Sequence, residues 1–328
     1  MRVRFWGVRG SIPTPATGED VASRVVAALA HLGQTQHQHP LDLNDAAAIA
    51  RWVEALPPSI ASLSGGNTPC LEMTTASGEL FIIDLGSGLR ALGDSLLDGP
   101  FGRGQGHAHL FLSHLHWDHI QGWPFFRPVY IQGNQFDLYA RHENVENLLK
   151  QQQNAPFFPP AAWDEMNATV RVHTLNEDSL SLCDERVRVS SLELEHPSRA
   201  FAYRFEADGR VFVYASDGAF PPPESDAARP VIEFFRDADL LVFDAQFSLN
   251  ESMEKHDWGH SSGVSGVELG CRANVKRLAL FHHAPGASEA HLEELLHAGR
   301  EYAQNPARPC LPAQVDVFLA REGLEVEL

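Results

Sequence analysis

Apolar positions along the chain follow two periods, and the switches between them outline an α/β protein. Residues 1–8 alternate as a strand does, and Gly7 to Pro13 then reads as a glycine-punctuated loop. Glu19 to Leu32 carries Val21, Val25, Val26, Leu29 and Leu32 at helical spacing. Asp45 to Leu56 repeats that spacing with Ile49, Trp52, Val53 and Leu56. Asp42 or Asn44 is its candidate cap, and Pro57-Pro58 ends it. The polar stretch Gln34 to Pro40 joins the two into a helical hairpin inserted over about residues 16–60, a cover for a site or a subunit contact. His37 and His39 within it read as a solvated loop more readily than as a metal pair.

Further along, Leu71 to Thr75 and Leu80 to Asp84 form a hairpin about Ser77-Gly78, and residues 88–97 read as a helix. Ala108 to Ser113 is a mostly apolar strand, and Ile120 to Pro124 reads as a short helical turn ended by proline. The stretch Phe125 to Tyr139 is aromatic, and it serves equally as a pocket wall or as ordinary packing. A strand at Phe136 to Ala140 and a helix at Glu143 to Gln153 follow, the latter broken by Ala155 to Pro160.

From residue 168 one arrangement repeats: a strand, then a metal-competent side chain at its C-terminal end. Val187 to Glu195 leads to His196, the hairpin Tyr203–Glu206 and Val211–Ala215 to Asp217, Leu240 to Phe243 to Asp244, and Arg277 to Phe281 to His282-His283. Asp257 to Ser261 precedes a helix over Val264 to Ala273. Such residues at the ends of separate strands point to one shared site in one layered α/β domain spanning residues 1–328.

A chain of 328 residues can bury a large core. No apolar run approaches the roughly 20 residues that span a membrane, so no membrane partner is expected. Cys70, Cys183, Cys271 and Cys310 are scattered, and the N-terminus enters a strand pattern directly; both fit a reducing cytoplasm. The net charge of −18, with no Lys/Arg-rich run, argues against long nucleic acid as the main partner. It leaves a small phosphate ester open, because bound dications would dominate the local field.

The densest chemistry is His114-Leu115-His116-Trp117-Asp118-His119, where strand gives way to loop. His114 and His116, two apart, can grip one cation from the same side. Asp118 and His119 are adjacent and suit a second cation beside the first. Imidazole and carboxylate without thiolate favour zinc, manganese or iron over magnesium or calcium. Two cations about 3.5–4 Å apart can share a hydroxide at neutral pH. Asp84, closing an apolar strand, can hold a ligating histidine in place from behind.

The phrase "SHLHWDHIQGWPFF", with "VRFWGVRGSIPTP", "GGNTPC" and "DLGSGLR", resembles the metallo-β-lactamase fold hydrolases, and more closely their branch with ribonuclease Z and the small cyclic-phosphodiester hydrolases. The resemblance covers residues 1 to about 290 outside the helical insertion. It implies a four-layer αββα sandwich with the metals at one edge. It implies His114, His116 and His196 on one metal, Asp118, His119 and His282 on the other, and Asp217 bridging both. His283 is the alternative to His282, since alternation on a strand lets only one of them point inward. The resemblance makes His260, in "WGHS", the group that protonates the leaving oxygen or holds the phosphate. The glycine beside it leaves room for substrate. Asp118 joins His260 as a catalytic candidate, and Asp244 resembles a supporting carboxylate. Other histidines, among them His31, His142, His173, His291 and His297, show no partner pattern.

The function expected is a two-metal phosphodiesterase for a small cyclic nucleotide or cyclic sugar phosphate, acting through a metal-bridging hydroxide. The alternatives are a ribonuclease Z-like RNA endonuclease, and a lactone or thioester hydrolase on the same fold. Relatives of this kind often form homodimers, which the helical insertion could serve.

Overall fold

The structure, a computed structural model, describes residues 1–37, 40–154, 156, 163–305 and 315–328. His39, Ala155, Phe157 to Pro160 and Cys310, named above, lie outside the described residues.

The alternating stretches become strands β1 (Arg2–Gly7), β2 (Cys70–Thr74), β3 (Leu80–Ile83), β4 (His107–Leu112), β5 (Gln135–Ala140) and β6 (Thr169–Thr174). They continue with β7 (Ser179–Leu182), β8 (Val187–Leu194), β9 (Ala200–Ala207), β10 (Arg210–Ala215), β11 (Leu240–Asp244), β12 (Arg277–Phe281), β13 (Asp316–Leu319) and β14 (Glu325–Glu327). Among the described residues they form two seven-stranded sheets, ordered β14-β1-β2-β3-β4-β5-β6 and β13-β12-β11-β10-β9-β8-β7. Strands β3 to β6 run parallel, as do β10 to β13. Parallel neighbours end at the same edge, so the loops after them meet there.

The helices are α1 (Gly18–Thr35), α2 (Ala46–Glu54), α3 (Pro58–Ala61), α4 (Gly88–Leu96), α5 (Trp117–Ile120), α6 (Val145–Gln152), α7 (Arg229–Phe235), α8 (Leu249–Glu254), α9 (Gly263–Arg272) and α10 (Glu289–Gln304). None is long and apolar enough to cross a membrane. Phe5, Phe81, Phe111, Phe205, Phe212 and Phe281 pack between the sheets. Leu89 and Leu92 of α4 cover the far face of the first sheet, and Val267 of α9 with Leu292 of α10 that of the second. The order of layers is therefore helix, sheet, sheet, helix.

Two expectations need correction, and two others are sharpened. The cap of α2 is Asp45, whose side chain accepts from the Ala47 N–H; Asp42 accepts from Asn44 instead. The prolines at 57 and 58 do stop α2, yet Pro58 also opens α3, because its fixed φ suits a first helical position. The short helical turn comes three residues earlier than expected, as α5, and itself carries Asp118 and His119. In the aromatic stretch, Phe126 and Phe136 are packing residues, fully buried with Trp123 behind the first sheet. Along α1, Val21, Val25, Val26 and Leu29 face outward and are more than half exposed.

Candidate metal centre

The C-terminal ends of β3, β4, β8, β10, β11 and β12 deliver polar side chains to one place. Ligand-type atoms of His114, His116, His196 and Asp217 all lie within 4.8 Å of one another, as do those of Asp118, His119, Asp217 and His282. Asp217 belongs to both groups. All but His116 and His196 are buried. Asp217 (φ 55°) and His282 (φ 59°) leave their strands in the left-handed region, as does Asp84 (φ 59°). Such a conformation is uncommon outside glycine and turns the side chain away from strand alternation. Alternation therefore does not decide between the two histidines at the end of β12. His282 Nε2 lies 3.2 Å from both Asp118 Oδ2 and Asp217 Oδ1. His283 turns away; its Nε2 lies 2.8 Å from the Ala320 carbonyl, and burial pushes its pKa down to about 3.

The first loop closes one side. Gly10 N–H donates to the His283 carbonyl, and Ser11 N–H donates to Asp118 Oδ2 at 2.6 Å. A Cβ on Gly10 would stand 2.5 Å from the His282 ring, so only glycine fits there.

The donor set fits divalent cations on this geometry. Nε2 of the fully buried His114 has no hydrogen-bond partner, although it is aimed at Asp217 Oδ2 3.7 Å away. His196 Nε2 faces His116 Nδ1 at 3.1 Å, and His119 Nε2 faces His282 Nε2 at 3.4 Å. Imidazole nitrogens converging in this way lack donors enough to satisfy one another, whereas a cation satisfies all of them.

Charge leads to the same conclusion. Burial would raise the Asp118 carboxyl, but His119 and His282 hold it well below the usual carboxylate range. Burial likewise opposes ionisation of Asp217, and His282, His119 and His114 outweigh it. Burial would lower His119, yet Asp217, Asp118 and Asp84 push it well up. His114 is pushed down, by burial and then by His119. The pocket thus collects ionised carboxylates that demand positive charge.

Behind these groups stands a layer that sequence reading found only in part. Asp84 Oδ2 lies 2.7 Å from His119 Nδ1; it also accepts from Ser113 Oγ at 2.8 Å and Tyr214 Oη at 2.6 Å. His282 Nδ1 lies 3.1 Å from Gln246 Oε1, and His196 Nδ1 lies 2.8 Å from the Gly259 carbonyl. Ser113 and Gln246 flank named residues and could have been suspected on position. Tyr214 and Gly259 carry no sequence signal for these contacts. Gly259, with φ 72°, would place a Cβ 2.6 Å from His196 Nδ1. The missing Cβ thus lets the Gly259 carbonyl approach His196.

His260 Nδ1 lies 2.7 Å from Asp244 Oδ2. The His260 ring centre is 5.0 Å from that of His282 and 5.3 Å from that of His196, so it spans the two groups. Burial would lower its pKa, but Asp244 leads the carboxylates that push it up to about 9. Ser262, not His260, caps α9. Beside His260 opens a cavity of about 400 Å³ lined by Phe220, Pro222, Leu249 and Met253.

The described chain matches the family model for the beta-lactamase superfamily domain over residues 81–283. It is 27% identical over 247 residues to ribonuclease Z of Sulfolobus acidocaldarius, covering 64% of this chain and 80% of that one. Its fold is similar to the short form of human tRNase Z, with a TM-score of 0.59 at 16% identity over 100% of this chain and 99% of that one. It is likewise similar to a diphosphatase from the PhnP family, with a TM-score of 0.58 at 19% identity over 100% of this chain and 97% of that one. The matched residues include every candidate site residue from Asp84 to His282, and the chain belongs to the beta-lactamase superfamily of metal-dependent hydrolases.

Proposed function

We propose that this protein hydrolyses a small phosphodiester, a cyclic nucleotide or cyclic sugar phosphate, at a centre for two divalent ions, zinc or manganese. In this reading His114, His116 and His196 would hold one ion and Asp118, His119 and His282 the other, with Asp217 available to both. The ions would supply a water-derived nucleophile at neutral pH and positive charge against the reacting phosphate. The protein's own groups do the rest. Asp84 and Gln246 fix the rings of His119 and His282, and the Gly259 carbonyl fixes that of His196. Asp244 keeps the proton on His260 Nδ1, so the opposite nitrogen is the one offered to substrate. A protonated His260 can then give its proton to the leaving alkoxide.

The observation that carries the reading is the pairing of His260 with Asp244 between both groups. Carbonyl esters with good leaving groups have less need of such an acid. The adjoining cavity, within the usual range for a small ligand, favours a compact and partly apolar leaving group. The charge of −18 disfavours a long polyanion.

A second reading, an RNA endonuclease, has a specific observation behind it: the similarity to ribonuclease Z. One preparation offered cyclic nucleotides, linear dinucleotides and a structured RNA separates the two. Turnover of the small diesters well above RNA cleavage supports the proposal. RNA cleavage without small-diester turnover would replace it with the second reading.

A further inference from the structure

A separate polar cluster lies toward the start of β4 and β5. It is roughly 20 Å along β4 from His114, at the opposite end of the strand. His107 and His109 are two apart on β4 and therefore share a face. Asp137 on β5 is in register with His109. Ligand-type atoms of His107, His109 and Asp137 all lie within 4.8 Å of one another. Two histidines at alternate positions of one strand, with a carboxylate across the ladder, bring three donors together on one face of the sheet.

A hydrogen-bonded cluster explains only part of this. Asp137 Oδ2 lies 2.8 Å from His107 Nε2, and its Oδ1 lies 2.8 Å from His173 Nε2. His109 is left out of that arrangement. It is buried, stacked on Phe81 at 4.9 Å between ring centres. Its nitrogens find only long contacts, Nδ1 to the Tyr139 hydroxyl at 3.4 Å and Nε2 to the Cys183 thiol at 3.6 Å. A buried imidazole held only by a long hydroxyl contact and a weak thiol contact is poorly satisfied, and a metal ion would bind it more strongly. Bonds of about 2.0–2.3 Å at tetrahedral angles set neighbouring ligand atoms roughly 3.3–3.6 Å apart. The three donors, within 4.8 Å of one another, would adjust toward that span around an ion. The pair His107 and Asp137 would open by about half an ångström, which the half-exposed His107 ring can give.

We propose that His107, His109 and Asp137 form a metal-binding site of their own that takes a zinc-class divalent ion and ties β4 to β5. Two imidazoles and a carboxylate suit zinc better than magnesium or calcium. The proposal stands independently of the reaction assigned to the other centre. His173, which showed no partner pattern in sequence, supports Asp137 from the far side.

The test is zinc content at equilibrium. Wild type, His107→Ala and Asp137→Asn are dialysed against the same zinc buffer, and metal and protein are measured in each. Because the comparison is a difference, it holds however many ions the other centre retains. The expected result is one zinc fewer per chain in each variant, with a smaller zinc-induced rise in melting temperature than wild type shows. His107 is half exposed, so removing its ring leaves the core intact. Equal zinc content in wild type and folded His107→Ala would overturn the proposal.

Discussion

Asp84 lies 2.7 Å from Nδ1 of His119, which leaves Nε2 of the same ring facing Asp217 Oδ1 at 3.2 Å. One carboxylate thus fixes which nitrogen a neighbouring histidine offers. The contact spans β3 and the turn after β4, and Tyr214 from the second sheet completes it. Asp84→Asn should weaken metal binding about 10–100-fold while leaving the protein folded. Competition with a chromophoric chelator measures it. Unchanged affinity would mean that Asp84 serves the sheet contact alone.

His260 and Asp244 form the second such pair. His260→Ala should lower kcat about 10²–10⁴-fold on diesters with poor leaving groups. The loss should shrink when the leaving group is a nitrophenolate, which departs without a proton. An equal loss on both substrates would remove His260 from the role of acid.

The pH profile carries the sign. A general acid must be protonated, so rate falls as pH rises through its pKa. The Asp244 carboxylate raises the pKa of His260 against the effect of burial. Asp244→Asn should therefore move the alkaline limb of kcat to lower pH, as read from a rate profile. A limb that stays in place would contradict the pairing.

Backbone strain gives a structural prediction. Gly259 has φ 72° and no room for a Cβ beside His196. Gly259→Ala should cost about 1–3 kcal/mol in denaturant unfolding and loosen metal held through His196. A stability equal to wild type would show that the loop relaxes freely.

Acid stability should depend on Asp239, far from either cluster. Burial raises its pKa, but Lys276 and the Val211 N–H lead the contacts that bring it below the ordinary value. A carboxyl depressed in the folded state stabilises the fold above its unfolded value, near pH ~4, and the contribution fades as pH falls through the folded value. The stability gap between wild type and Asp239→Asn should be flat at neutral pH and narrow in acid. A gap that stays constant into acid would show the contact to be neutral in charge.

Much of the site was legible because its donors follow strand ends, and strand ends can be read from apolar runs. His114 to His119 stand in one phrase, and Asp217, Asp244 and His282 each close a hydrophobic stretch. What escaped depends on register and backbone conformation. Nothing in the chain shows that Tyr214 reaches Asp84 across two sheets, or that β4 and β5 align His109 with Asp137. The choice between His282 and His283 followed the resemblance, since the positive φ at His282 removes the alternation that would have decided it. The cap at Asp45 was misplaced because Asp42, Asn44 and Asp45 all qualify by residue type, and only geometry separates them.

The most direct measurement is turnover of 2′,3′- and 3′,5′-cyclic nucleotides by the purified protein, before and after chelation and with zinc or manganese restored. The expected result is ring opening that disappears with the metal, returns on its addition and is lost in Asp217→Ala. Turnover that survives chelation, or that Asp217→Ala leaves unchanged, would contradict a two-ion phosphodiesterase.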